Sequence, residues 1–180
     1  MIGRPVTAEA SPYYFRYIDR VSEDDPRVVL QSQLEKTLPA LSAISESASL
    51  MRYAPDKWTI REVLSHITDC ERIFSFRALW FARGLSDPLP GFEEETLSKG
   101  AEAERLSWSE HVREFQAVRQ STILMFDHLP DDAWNRTGVA SGATFTVRAI
   151  SYIIAGHLIH HMRVLNERYG TLLPAAYWEK

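Results

Sequence analysis

The sequence predicts an all-α protein, a four-helix bundle, on three observations. Four segments carry apolar residues at helical spacing. Capping signals stand immediately before three of them. No stretch alternates strongly enough to make a convincing β-hairpin. The chain of 180 residues, 45% of them hydrophobic, reads as one domain spanning 1–180, with its core at about 26–170.

Residues 1–12 read as a loose arm, followed by one helical turn at Tyr13–Ile18 that packs on the body. The first long helix is expected over 26–46. Pro26 suits a first helical position, and the acidic run ending at Asp25 suits the positive end of a helix dipole. Val28, Leu30, Leu34, Leu38 and Leu41 give its apolar spacing, and Pro39 should kink or interrupt it. The second helix is expected over 59–83. Thr59 and Glu62 form a capping box, Trp58 and Val63 a hydrophobic staple, and Gly84 can end the helix. Residues 85–106 are the least regular stretch, a long connection with room for a short helix near 93–104. Ser107 and Glu110 form a second capping box, opening a helix over 107–128 with His128 in its last turn. Residues 141–144 read as a turn or short strand-like connection. Thr146 can cap the last helix, over 146–168, with Phe145 and Ile150 as its staple. The tail from Leu172 to Lys180 keeps apolar Leu173, Tyr177 and Trp178, which could fold back on the body or meet a partner subunit.

Composition excludes several function classes. A formal net charge of −4 argues against a nucleic-acid partner. No apolar run approaches the roughly 18 residues of a membrane span, and the N-terminus lacks an apolar signal core. The single cysteine, Cys70, excludes an internal disulfide and fits a cytoplasmic location.

The chemistry concentrates in the last helix. With Ile150 at the centre of its apolar stripe, His157 and His161 fall about 20° to either side, and His160 about 80° away at the stripe's edge. His157 and His161 therefore share the core face one turn apart, half of a metal site. The alternative for such a pair is two core histidines satisfied by hydrogen bonds. A third ligand decides the matter, and His66, on the helix whose phase Trp58, Thr59 and Glu62 set, is the natural candidate. Three imidazoles suit a divalent ion, zinc or nickel ahead of iron, copper or manganese, and leave coordination positions open. Cys70 lies one turn beyond His66, but a buried lone cysteine usually behaves as a small hydrophobe.

These motifs resemble a known family. Lys57–Arg72 is similar to the tryptophan-led second-helix motif of the DinB-like (DNA-damage-inducible) superfamily, and Ala155–Leu165 to its last-helix histidine motif. Pro88–Phe92 and Leu129–Trp134 resemble its loop sequences, so the likeness spans roughly residues 26–170. The resemblance implies a four-helix bundle with one long crossover and a metal in its core. It implies His66, His157 and His161 as ligands, with His160 as the neighbouring histidine that does not bind. It also implies a homodimer and a small-molecule substrate. Characterised relatives include S-transferases and maleylpyruvate isomerases that use low-molecular-weight thiols; many members have no assigned reaction.

Three readings follow. In the first, a metal-dependent enzyme transfers a thiol to an electrophile or hydrolyses its substrate. Arg77 or Arg148 would then bind a substrate carboxylate, and Glu62 would orient His66 if it were not already the helix cap. In the second, the protein is a metal-binding or stress-related dimer without turnover. In the third, it is a dimeric scaffold with a vestigial site.

Overall fold

The helices begin where short polar side chains meet free backbone amides. Thr59 Oγ1 accepts from the Glu62 amide at 3.0 Å, and Glu62 Oε2 accepts from the Thr59 amide at 2.6 Å. Ser107 and Glu110 repeat the exchange, and Thr146 Oγ1 accepts from the Ala149 amide. Asp25 caps the first long helix through the Arg27 amide, with Pro26 at the first helical position. The computed structural model describes residues 2–170. Its helices are α1 (Phe15–Ile18), α2 (Pro26–Ser42), α3 (Glu46–Ser49), α4 (Ile60–Ala82), α5 (Glu94–Gly100), α6 (Trp108–Asp127) and α7 (Val147–Tyr169). A hairpin of β1 (Thr137–Ala140) and β2 (Ala143–Thr146) precedes α7.

The four long helices are α2, α4, α6 and α7. Helix α4 packs on α7 and α6, and α2 on α6 and α7, so the perimeter runs α2–α6–α4–α7. The buried side chains of all four form a continuous core. No helix among the described residues is long and apolar enough to cross a membrane.

A polar network ties the bundle together. Arg119 of α6 reaches both carboxylate oxygens of Glu71 on α4, at 2.8 Å, and donates to Gln33 Oε1 on α2 at 2.6 Å. Gln33 Nε2 then donates to the Ala155 carbonyl of α7 at 2.8 Å. One buried guanidinium thus links all four long helices, with its charge paired and a hydrogen bond made by each of its three nitrogens.

Three expectations need correction. The N-terminal arm is not loose: Glu9 is buried, accepts from Thr146 Oγ1 and pairs with Arg148, while the Ile2 carbonyl takes the other end of that guanidinium. Arg148 therefore holds the protein's own carboxylate rather than one of a substrate. The hairpin exists because Ser141 and Gly142 both adopt positive φ, 52° and 75°, the pattern of a two-residue hairpin turn. Four-residue strands were too short to show an alternation, and tertiary contacts hold them: Gly138 presses against Phe81, where a Cβ would lie 2.0 Å from the ring, and Leu89 bonds to both ends of the hairpin tip. Helix α2 ends at Ser42, short of 46, because Ser45 turns the chain and caps α3. The apolar tail from Leu172 lies outside the described residues.

Candidate metal centre

His66 projects from the second turn of α4, and His157 and His161 from successive turns of α7. Because α4 and α7 pack directly on each other, the three rings converge. His157 Nε2 lies 3.2 Å from His66 Nε2 and 3.1 Å from His161 Nε2. The three ligand atoms all lie within 4.8 Å of one another. The residues are 3%, 5% and 8% exposed, so water satisfies little of them. Trp58 stands against the His66 ring, 4.9 Å between centroids, and Tyr17 meets His157 edge-on at 5.2 Å. Gly156 makes the second contact possible, since a Cβ there would fall 2.0 Å from the Tyr17 carbonyl oxygen.

The arrangement fits a cation better than it fits three neutral rings. A neutral imidazole has one donor and one acceptor. His157 Nε2 is a single atom and cannot make a good hydrogen bond to both neighbours. His111 shows the ordinary solution for a buried histidine: its Nε2 donates to the Ala103 carbonyl at 2.7 Å. A common ion removes the conflict, because all three lone pairs then point at it. The two close pairs, 3.1 and 3.2 Å apart with His157 Nε2 common to both, would each subtend about 100° at a zinc bonded at about 2.0–2.1 Å, an angle that suits tetrahedral or octahedral coordination. Burial depresses the His66 pKa to about 4, with His160 adding repulsion. Burial also takes His161 to about 2, and drives His157 well below the usual range with help from the two facing imidazoles. The rings are thus kept neutral, the form that binds a metal.

The other polar residues take distinct places. His160 is outside the converging group; its ring packs edge-on to Tyr17 at 5.5 Å. Cys70 Sγ lies beside the His66 ring, 3.6 Å from Nδ1, but is not among the converging ligand atoms. Burial, with Glu94 and Asp69 nearby, pushes its thiol up to about 12. Glu62 serves as the helix cap and accepts from Arg52, so it does not orient His66.

Glu94 is the residue that the sequence reading missed. It lies on α5, in the long connection between α4 and α6, and Oε1 sits 3.5 Å from His66 Nε2. Its carboxylate is otherwise exposed and lines two clefts. One cleft, about 640 Å³, reaches His66 and His157 past the rings of Tyr13, Tyr14, Tyr17, Phe74 and Phe92. The other, about 740 Å³, reaches His161 past Arg52, Lys57 and Lys99. The available signal was the length of this connection with its run Glu93–Glu95, although two of those acids also sit in the first turn of α5, where a helix favours them.

The profile of the DinB superfamily matches residues 30–165. The chain belongs to the DinB superfamily. Solved structures agree on the fold. YfiT from Bacillus subtilis, described as a probable metal-dependent hydrolase with an unusual four-helix bundle topology, superposes with a TM-score of 0.67. The two are 17% identical, over 91% of this chain and 89% of that one. The mycothiol-dependent maleylpyruvate isomerase superposes with a TM-score of 0.65 at 11% identity, over 81% of this chain. This chain spans 61% of that protein's length. No curated protein matches in sequence at a significant level.

Proposed function

We propose that the protein is a metal-dependent enzyme that holds one divalent ion through His66, His157 and His161 and joins a small thiol to an organic electrophile. The convergence of three buried, neutral Nε2 atoms at the inner end of an open, aromatic-walled cleft carries this reading. Zinc or nickel suits the all-nitrogen donor set. A bound ion would lower the pKa of a nucleophile there and stabilise its anion.

The chain's own residues supply the rest. The three imidazoles are held neutral, in fixed orientation, by helices α4 and α7. The thiol's S–H bond breaks and an S–C bond forms, the electrophile's leaving group departing with the electron pair of the bond to it; Glu94, beside His66 and open to solvent, receives the thiol's proton and passes it to the leaving group or to water. The rings of Tyr13, Tyr17 and Phe74 exclude water from one side of the site and offer an apolar body a surface. Two clefts share Glu94, one reaching His66 and His157 and the other His161, which gives two reactants separate approaches. That favours transfer of a thiol over hydrolysis, since water needs no cleft of its own.

Hydrolysis is the second reading, favoured by the likeness to YfiT, whose description names a hydrolase. Purified, zinc-loaded protein incubated with panels of low-molecular-weight thiols and electrophiles, read by mass spectrometry, separates the two. A thiol adduct supports transfer; hydrolysed electrophile without adduct supports the second reading. Glu94→Gln is expected to cut turnover by roughly 10²- to 10⁴-fold with zinc content unchanged. A homodimer is part of the same proposal: Val28 on α2 and Leu124 on α6 are exposed apolar side chains available for pairing. Light scattering should give twice the chain mass.

A further inference from the structure

Among the described residues, the buried arginines have carboxylate partners, with one exception. Arg119 pairs with Glu71 and Arg61 with Glu46. Arg77 is 3% exposed and has no carboxylate partner among the described residues. Its Nη2 donates to the Pro90 carbonyl at 2.8 Å and to Ser141 Oγ at 3.0 Å. Its guanidinium also interacts with the Tyr14 hydroxyl and lies 5.8 and 5.5 Å from the ring centroids of Phe74 and Phe92. A permanent positive charge is thus held among neutral acceptors alone, a costly arrangement unless something else supplies the counter-charge.

The cleft beside it can. A guanidinium only donates hydrogen bonds. Ser141 Oγ therefore acts as an acceptor toward Arg77, and its own proton is left to point elsewhere, while the Tyr14 hydroxyl stands near the same guanidinium. Both residues line the cleft of about 640 Å³ whose lining also includes His66 and His157. Ser141 is fixed there at the hairpin tip with φ 52°, a conformation that side chains rarely adopt. The carboxylates lining the same cleft are Glu93 and Glu94, and Glu94 stands at the histidine end.

We propose that the Ser141 end of this cleft binds a carboxylate carried by the substrate, held by the Ser141 and Tyr14 hydroxyls and backed by Arg77, with the substrate's apolar or aromatic body against Phe74 and Tyr17. The assignment of this ligand as substrate rests on the function proposed above; the subsite itself does not need the metal.

The test uses chelator-treated, zinc-free protein titrated with benzoate and with benzamide, followed by calorimetry. Benzoate is expected to bind roughly tenfold more tightly than benzamide. Ser141→Gly removes one hydroxyl and suits the positive φ, so the fold is kept; it should weaken benzoate several-fold and leave benzamide unchanged. Arg77→Met should abolish the preference altogether, and Ser141→Gly alone carries the test if that variant fails to fold. Equal binding of the two probes, or unchanged benzoate affinity in Ser141→Gly, overturns the proposal. Benzoate binding that appears only with zinc also overturns it, by placing the carboxylate on the metal, and leaves the metal reading intact. Loss of zinc binding with the benzoate preference retained does the reverse.

Discussion

Two buried polar clusters lie in the same bundle, and they differ in what they are missing. The Arg119–Glu71–Gln33 cluster is complete: every charge has a partner, and each link joins a different pair of helices. The His66–His157–His161 cluster is not: His157 Nε2 faces two other ring nitrogens, and a single nitrogen cannot make a good hydrogen bond to both. The first cluster holds helices together. In the second, one ring nitrogen faces two others, and we propose that it holds a cation. Burial is similar in both, so burial alone does not distinguish structure from function; satisfaction does.

The comparison can be broken most directly at Arg119. Arg119→Met leaves Glu71 buried and unpaired, and urea melts should show a loss of about 3–5 kcal/mol. The double variant with Glu71→Leu should recover a large part of it. A loss below about 1 kcal/mol in the single variant would mean that the network does not hold the helices.

The histidine cluster should behave in the opposite way. In zinc-free protein, His157→Leu removes an unsatisfied polar ring and should leave stability unchanged or raise it by about 1 kcal/mol. Zinc at about a hundred times its dissociation constant should stabilise the natural sequence by about 2.7 kcal/mol and the variant not at all. A strongly destabilised zinc-free variant would show that the rings satisfy one another after all.

Gly156 tests how the site is framed. Gly156→Ala forces the Tyr17 carbonyl away from α7. A loss of about 1–3 kcal/mol is expected, with zinc bound less tightly as Tyr17 leaves His157. Unchanged stability would mean that α1 yields freely.

Burial of the histidines also sets a pH dependence. Burial holds His66 at about 4 and His161 at about 2, against an ordinary value of about 6.5. As pH falls below about 6.5 the unfolded chain takes up protons that the folded zinc-free protein refuses. Their contribution to stability is therefore fully present above about pH 6.5 and declines as pH falls toward 4. Urea melts of zinc-free protein between pH 7 and 5 should show a shallower decline in His161→Leu. Equal slopes would place these imidazoles in a more hydrated setting.

Local physics made part of this legible in the sequence. The capping boxes at Thr59–Glu62 and Ser107–Glu110 are satisfied within three residues, so they located two helix starts closely. The helical period placed His157 and His161 on one face, again from neighbours alone. Long-range pairings left no such trace. The links of the Arg119 network span 48, 86 and 122 residues. The tie from Arg148 to Glu9 spans 139. Nothing near Arg119 or Arg148 distinguishes them from surface arginines. Glu94 was hidden for another reason: its short helix has no side-chain cap, and its position depends on how the long connection folds over the histidines.

The central claim is that three particular imidazoles hold one ion. Competition with a chromophoric chelator, on untagged protein, measures it directly. The account predicts one tightly bound zinc per chain in the natural sequence and in His160→Ala, and none in His161→Ala. Equal zinc binding by the two variants would contradict it.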